Sequence, residues 1–226
     1  MDVDFLFQLI AANQGGGAGL VGSFDVVVTG GPPLNWDFAN SFPSPQVGDV
    51  LIGVGASDST NIGAVAYNVG TLVATKHDTI SSTSPGHAFI SAVWDGVNTR
   101  ITSQGSVSSG IAFYVGWSFG LFRGGDGLAI RSPGASSGAS GLPNPPTLTG
   151  CTPGSLIVAC GALDDDAITD AGAPPGYELV TQRSGGVATS MMAWKIAESV
   201  TEDPGAFTSG QGTDDWRATT LEIPLA

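Results

Sequence analysis

The sequence predicts an all-β protein made of two tandem, divergent antiparallel β-sandwich repeats of jelly-roll-like type, preceded by a short apolar N-terminal arm. Three observations support this fold class. The chain has 226 residues, of which 34 are glycine, 14 are proline and only 12% are charged. Apolar stretches rich in valine and isoleucine alternate with turns of Gly, Pro, Asn and Ser, which is typical of β-strands. One of these stretches recurs later in the chain at a constant spacing.

An N-terminal arm with a glycine-rich hinge is predicted for residues 1–22. The sequence Gly15-Gly-Gly-Ala-Gly19 follows an apolar run, as expected of an anchoring segment joined flexibly to its domain. An edge strand or short helix packed on the chain's own sandwich is the alternative. Asp2 and Asp4 stand where a secretory signal would be positive, and the run is too short to cross a bilayer. The candidate anchoring side chains are Phe5, Leu6, Phe7, Leu9 and Ile10.

The recurring stretch defines the two sandwich repeats, predicted for residues 23–130 and 148–226. Residues 48–58, GDVLIGVGASD, align without gaps onto residues 154–164, GSLIVACGALD, at an offset of 106. Both read as a turn, a buried strand, Gly-Ala and then a final Asp58 or Asp164. A duplicated strand of this kind predicts that the two halves fold alike.

Weaker similarity continues through both halves. Residues 70–76 match residues 177–183 at an offset of 107, and an apolar stretch ending in Trp94 or Trp194 follows in each. Each half then closes on a strand with apolar residues at every second position, the pattern of a half-buried strand. The sequence leaves open whether the halves are separate sandwiches or parts of one body.

Residues 131–147, RSPGASSGASGLPNPPT, separate the two repeats. Their Gly, Ser and Pro content offers few side chains to bury, which predicts a linker or a long surface crossing.

Charge and cysteine content exclude several classes of protein. The 7 basic and 20 acidic residues give a net charge of −13. Nucleic acids and anionic membranes are bound through clustered Lys and Arg, so neither is predicted as a partner. Cys151 and Cys160 are the only cysteines, too few for a disulfide framework, and they indicate folding in a reducing cytoplasm, although a bond between them stays open.

Two short motifs resemble active-site signatures. Gly17-Ala-Gly-Leu-Val-Gly22 fits a dinucleotide fingerprint, but a strand sequence follows it where a helix is required. Gly116-Trp-Ser-Phe-Gly120 fits a nucleophile elbow, but His77 and His87, the only histidines, both precede Ser118 and no helical pattern follows. The sequence therefore predicts an ordinary strand serine, no cofactor and no catalytic residue.

Acidic residues in the second half form the remaining candidate site. They are Asp164, Asp165, Asp166, Asp170, Glu202, Asp203, Asp214 and Asp215. Loops cluster at the ends of a sandwich, so these carboxylates could converge, and paired carboxylates can bind a cation or hydrolyse glycosides. The triplet lacks the calcium-loop spacing, since Thr169 and Pro175 occupy the positions of the required Gly and Glu. Solvated loop ends are the favoured interpretation; no metal is predicted, and the triplet 164–166 is the candidate should a cation bind.

The second half resembles a sandwich module of structural proteins from tailed bacteriophages and related particles. The resemblance lies in residues 144–148 leading into the duplicated strand, residues 173–177 and 193–197, and above all Glu202-Asp-Pro-Gly-Ala-Phe-Thr208 before the closing strand 216–224. It covers about 80 residues, and the first half lacks the Asp-Pro-Gly turn. The resemblance implies a role in assembly, as a capsid decoration, a head or tail fibre, or a part that meets the host surface, and carries over no catalytic residue.

The leading functional hypothesis is a non-enzymatic virion structural protein, assembled in the bacterial host cytoplasm and present in the virion. Its expected partners are other capsid or tail subunits and further copies of itself, with no nucleic acid or membrane. The second hypothesis is a host-attachment tip that binds a glycan or receptor. The weakest is an acid/base glycosidase that uses Asp165 or Asp203. The aromatic candidates for the second are Trp36, Trp94, Trp194 and Trp216.

Overall fold

Sixteen β-strands make up the regular structure of the residues that the computed structural model describes, which are 18–29, 34–37, 41–57, 66–69, 72–80, 86–97, 100–104, 114–164, 168–184, 188–211 and 214–226. The strands are β1 Gly19–Thr29, β2 Leu34–Asp37, β3 Val50–Ser57, β4 Ala66–Val69, β5 Leu72–Val73, β6 Thr75–Ile80, β7 Gly86–Val93, β8 Arg100–Gln104, β9 Tyr114–Arg123, β10 Ala135–Gly138, β11 Leu148–Thr149, β12 Leu156–Leu163, β13 Glu178–Ser184, β14 Thr189–Ile196, β15 Thr201–Glu202 and β16 Trp216–Ile223.

Two five-stranded antiparallel sheets dominate the fold. The first has the order β1-β9-β3-β7-β6 and the second the order β10-β16-β12-β14-β13. When the strands of each sheet are numbered along the chain, both orders read first, fifth, second, fourth, third. A four-stranded sheet, β2-β8-β4-β5, and the β11-β15 pair complete the described strands.

The duplicated stretch forms the central strand of each large sheet. Strands β3 and β12 are buried along their whole length and begin and end 106 residues apart. Strands covered on both faces are apolar throughout instead of alternating, which explains the continuous apolar runs in the sequence. Gly55 of β3 is required by close packing, because a Cβ there would lie 2.9 Å from the ring of Trp117.

The turns that lead into these two strands have the same hydrogen bonds. The amide of Asp49 donates to the carbonyl of Gln46 over 3.0 Å, and the amide of Ser155 donates to the carbonyl of Thr152 over 3.0 Å. The preceding Gly48 and Gly154 have φ of 91° and 95°, a region that favours glycine.

The weaker sequence matches at offset 107 are not structural equivalents. Lys76 of β6 faces Ile90, and Leu179 of β13 faces Ala193, so the paired positions in these strands lie 103 residues apart. Both edge strands contain a bulge next to this pair. The register arises from backbone pairing, which a similarity of residue types at turn-rich edges does not determine.

The two large sheets pack face to face, so each half of the chain contributes one layer of the same core. Strand β12 contacts β3, and β13 and β14 contact β9. The shared core includes Phe89 and Phe122 from the first half and Val158, Cys160 and Met192 from the second, all fully buried. The sequence had left the relation of the halves open, and in the described residues the two large sheets share this core.

Polar side chains also join the two sheets. Ser118 of β9 lies 2.9 Å from Ser190 of β14, Oγ to Oγ, with both side chains fully buried. Arg183 of β13 forms an ion pair with Asp25 of β1 at 3.2 Å. Burial raises the pKa of Asp25, although Arg183 and Thr181 act in the opposite direction.

The outer face of each sheet is covered as well. Trp117, Phe119 and Phe24 pack on the outer face of the first sheet, where Phe24 stacks on Phe119 at 4.7 Å between ring centroids. Phe207 and Met191 belong to the corresponding cluster on the second sheet. Each large sheet therefore has a cluster of buried side chains on both of its faces.

Residues 131–147, for which the sequence predicts a linker, include β10, the edge strand that pairs with β16. An edge strand needs only backbone partners, and most side chains of this segment remain exposed, so its Ser and Gly content is no obstacle. Strand β1 likewise starts at Gly19, inside the predicted hinge, and continues through Gly22 as a strand instead of opening a helix. The rest of the N-terminal arm lies outside the described residues.

The all-β, antiparallel class is confirmed, and the two large sheets agree with a β-sandwich. The jelly-roll description and the division into tandem repeats stay predictions. Among the described residues, no helix is both long and apolar enough to span a membrane.

Candidate functional site

One end of the sandwich carries all the exposed large hydrophobic residues among those whose side-chain exposure the structure describes. We call this surface the apolar end. Its exposure ranges from 38% for Ile196 to 91% for Leu128. The six side chains are Val47, Val97, Leu128, Ile196, Val200 and Leu225.

Strand pairing explains why residues so distant in sequence meet there. In the first sheet, Val50 at the start of β3 pairs with Val93 and with Phe122, the ends of β7 and β9. In the second sheet, Leu156 at the start of β12 pairs with Ile196 and Ile223 in the same way. The turns carrying the exposed side chains therefore project from the same ends of neighbouring strands.

Backbone contacts bring the two sheets together at this end. The amide of Asp126 donates to the carbonyl of Pro224, and Gly125 bridges to Leu225. The chain that follows β9 is thus attached to the chain that follows β16. Leu128, in this connection, and Leu225 belong to one continuous region.

Three buried carboxylates hold the turns around the apolar end. The first is Asp49, 1% exposed, which accepts two hydrogen bonds from Arg123 at 2.8 and 2.9 Å and one from the amide of Gln46. The hydrogen bonds that Arg123 donates to Asp49 raise the pKa of Arg123. This bidentate pair attaches the turn before β3 to the end of β9.

The second carboxylate, Glu222 of β16, has no exposed surface. It lies 2.6 Å from Arg131, and its other oxygen accepts the amide of Thr152 at 2.8 Å. Arg131 also donates to the carbonyls of Thr149 and Gly150. The pair connects β10, β11 and β16 beneath the apolar end.

The third carboxylate, Glu202 of β15, lies 3.0 Å from Lys195. Burial alone would raise the pKa of Glu202, but Lys195 and the amides of Glu198 and Ser199 outweigh it and lower that pKa. The three pairs make the apolar end a surface of fixed turns.

Acid titration should report the Glu202 contacts. Because the folded-state pKa of Glu202 is lowered, its stabilising contribution is complete above the unfolded pKa near 4.5 and is lost as pH falls below it. We expect Glu202→Gln to flatten the decrease of unfolding free energy between about pH 5 and pH 3. Urea titrations at half-unit pH steps measure this. Glu198→Gln, which changes an exposed carboxylate beside the same Lys195, is the control and should retain the wild-type slope.

The acidic residues proposed from the sequence are divided between the two ends. At the end opposite the apolar end, the amide of Asp164 donates to the carbonyl of Asp215, and Asp170 accepts from Ser209 and Gly210. These contacts lower the pKa of Asp170. The loop that carries Asp164 and Asp170 therefore contacts the loop that carries Asp215.

Glu202, by contrast, lies at the apolar end. Asp165 and Asp166 lie outside the described residues. Within the described ranges, no three His, Cys, Asp or Glu side chains are grouped so that they could hold a metal ion.

Ser118 of the GxSxG motif is a buried strand residue, as the alternation of β9 predicts. Its side chain has no exposed surface and bonds to Ser190, so it joins the sheets. The two histidines also have partners: His77 Nε2 lies 2.8 Å from Ser91 Oγ, and His87 Nε2 lies 3.0 Å from Asp78. Burial lowers the pKa of His77.

Cys151 and Cys160 are both free thiols in buried positions, which answers the question of a bond between them. Burial raises the pKa of each. A protonated, inaccessible thiol is unreactive.

The tryptophans considered for glycan binding face the core where they are described. Trp94 and Trp194 are partly buried against core clusters. Trp216 is 9% exposed, and its indole N–H donates to the carbonyl of Ser140. The side chain of Trp36 lies outside the described residues.

The predicted anchoring residues Phe5, Leu6, Phe7, Leu9 and Ile10 also lie outside the described residues. The apolar end was not found by sequence reasoning, because its side chains come from strand ends and turns that are far apart in the sequence. Comparisons with protein-family models, with curated proteins and with solved structures found no match to this chain.

Proposed function

We propose that this chain is a non-enzymatic structural protein that assembles into a phage or phage-like particle, as a capsid decoration or fibre component, and that the apolar end is its assembly surface. The observation that carries the proposal is that the six exposed large hydrophobic residues, taken among the side chains whose exposure the structure describes, all lie on one end. Clustered apolar exposure at a single site marks interaction surfaces, whereas isolated exposed residues need no explanation.

The polar groups of the described interior support a structural role. Asp49, Glu202 and Glu222 are occupied by ion pairs that fix turns, and Ser118 joins the two sheets. A catalytic carboxylate or nucleophile needs access to a substrate, which these side chains lack.

The internal similarity also supports the proposal. Equal strand orders, the shared offset of β3 and β12 and their matching entry turns favour descent of the halves from one module by duplication. The resemblance of the second half to virion sandwich modules, which lies in residues 202–208 and the strand after them, supports the proposal as well. Both are properties of building blocks more than of enzymes.

Particle incorporation tests the proposed function. Particles purified from the producing host should contain the wild-type chain, as detected by mass spectrometry. Leu128→Asp, which places a charge on the most exposed residue of the apolar end, should reduce incorporation at least tenfold, because a desolvated carboxylate in an interface costs more than 1.4 kcal/mol.

The matched control is Ala139→Asp, an equal charge change at an exposed position beyond β10, where that strand meets the start of β16 at the opposite end. It should enter particles like the wild type. Both variants should melt within about 2 °C of the wild type, since surface substitutions change stability little. A chain found free in lysate and absent from purified particles would disprove the proposal.

A further inference from the structure

We propose that the apolar end binds the apolar end of a second copy of this chain, in a two-fold symmetric dimer. This inference rests on the proposed function and names the partner of the same surface. The size of the surface, its rigidity and the charges around it suit a second copy, and a membrane or a glycan fits it less well.

The size of the apolar end suits one side of a protein interface. Its six side chains expose apolar surface equivalent to about four complete aliphatic side chains, on the order of 400 Å². A standard interface covers about 800 Å² on each partner, of which somewhat more than half is apolar. The exposed apolar area therefore matches what one face of a standard dimer buries.

Contacts within the single chain already hold the turns of the apolar end in place. The turn of Val47 is attached to β9 through Asp49 and Arg123, and the connection carrying Leu128 is hydrogen-bonded to Pro224. Ordering mobile loops is a large part of the cost of association, and a pre-formed surface avoids it. Rigid apolar turns favour a rigid partner of complementary shape.

The charges around the apolar end have both signs. Arg131 is 44% exposed, while the Glu198 side chain is 83% exposed and Asp126 lies in the connection that carries Leu128. A two-fold interface places the same patch on both sides, so it requires a surface that complements itself. A rim with cationic and anionic groups meets that requirement.

Other partners fit this surface less well. An anionic membrane is bound through clustered Lys and Arg, whereas the rim of the apolar end carries charges of both signs. A glycan is held by exposed aromatic rings, and the exposed large hydrophobics here are all aliphatic. A second copy offers an equal aliphatic surface by definition.

Sedimentation equilibrium of the purified full-length chain from about 1 to 100 μM tests the inference. The expected mass is twice the 22.7 kDa of the chain. The double variant Val97→Asp/Leu128→Asp places four carboxylates in a two-fold interface, two from each copy, and should raise the dimer dissociation constant at least 100-fold, at about tenfold or more for each substituted position. Ala139→Asp should leave the dissociation constant unchanged.

A cysteine placed in the surface gives an independent readout. Leu128→Cys should cross-link to its copy with a short bismaleimide, and the native Cys151 and Cys160 should not react because both are buried. A cross-linked dimer that disappears when Val97→Asp is added supports the end-to-end arrangement.

A monomer at every concentration overturns the inference, and so does association that the double variant leaves intact. A monomer that dimerises only after removal of residues 1–17 also overturns it, because the chain's own N-terminal segment would then be the occupant. These results are separable from the proposed function: a monomer that enters particles through the apolar end contradicts only the second copy as partner. A dimer that is absent from particles contradicts only the virion role.

Discussion

Replacing Phe89 by alanine is expected to lower the free energy of unfolding by about 3–5 kcal/mol, and to do so equally for both halves of the chain. Phe89 is fully buried in the core that lies between the two large sheets. Its loss removes apolar burial and leaves a cavity bordered by side chains from the second half as well as the first. The second half therefore loses stability although none of its residues is changed.

Hydrogen exchange distinguishes a shared loss of stability in both halves from independent unfolding of the two halves. Protection of the Cys160 and Met192 amides, on the central strands of the second sheet, should fall by the same free energy as global stability measured in urea. Val97→Ala, at a position 78% exposed, is the control and should change stability by less than about 0.5 kcal/mol. If second-half protection is unchanged in Phe89→Ala, the halves unfold separately and the shared core is not cooperative.

The strands and their class could be predicted from sequence because they depend on local pattern. The gap-free match of residues 48–58 with 154–164 located both central strands, and these strands have the predicted offset of 106. The packing of one sheet on the other could not be predicted in the same way, because the contact of β3 with β12 spans about half the chain. Nothing in either strand distinguishes a partner within its own half from one in the other.

The edge strands of the sheets were harder to predict from the sequence than the central strands. Strand β10 lies in a segment rich in Ser, Gly and Pro, and it is held by backbone pairing with β16 instead of by buried side chains. For the same reason, the match of residues 70–76 with 177–183 was misplaced by four positions relative to the observed register. Amino-acid composition indicates which segments have buried side chains, and edge strands have few of them.

The candidate site, too, could be predicted from the sequence only in part. The sequence raised the possibility that the acidic loops of the second half converge, because loops cluster at the ends of a sandwich. The loops that carry Asp170 and Asp215 contact each other, whereas Glu202 lies at the other end. The apolar end escaped detection because its exposed residues are far apart in the sequence, and Val47 and Val97 each stand between polar or glycine neighbours. Only the strand order, which places their turns side by side, makes them a surface.

Replacing Arg131 by methionine is expected to cost about 2–3 kcal/mol of unfolding free energy. Glu222 has no exposed surface, and Arg131 is the basic side chain of its ion pair, at 2.6 Å. Breaking a fully buried pair typically costs 3–5 kcal/mol, and the 44% exposure of Arg131 lets water recover part of that. The turn at Thr149 and Gly150 also loses its side-chain donors, so the loss should extend to the β11 pairing.

Arg183→Met is the matched control for this prediction. The exposed fraction of the Arg183 side chain, 38%, is similar to that of Arg131, but its partner Asp25 is 22% exposed and can be reached by water. That pair should be worth less than about 1 kcal/mol, as is typical when both partners touch solvent. Adding Glu222→Gln to Arg131→Met removes the uncompensated charge and should restore at least 1 kcal/mol in urea unfolding, because an amide is less costly to bury than a carboxylate. Equal losses in the two arginine variants, or no recovery in the double variant, would show that the charge of Glu222 is not what Arg131 stabilises.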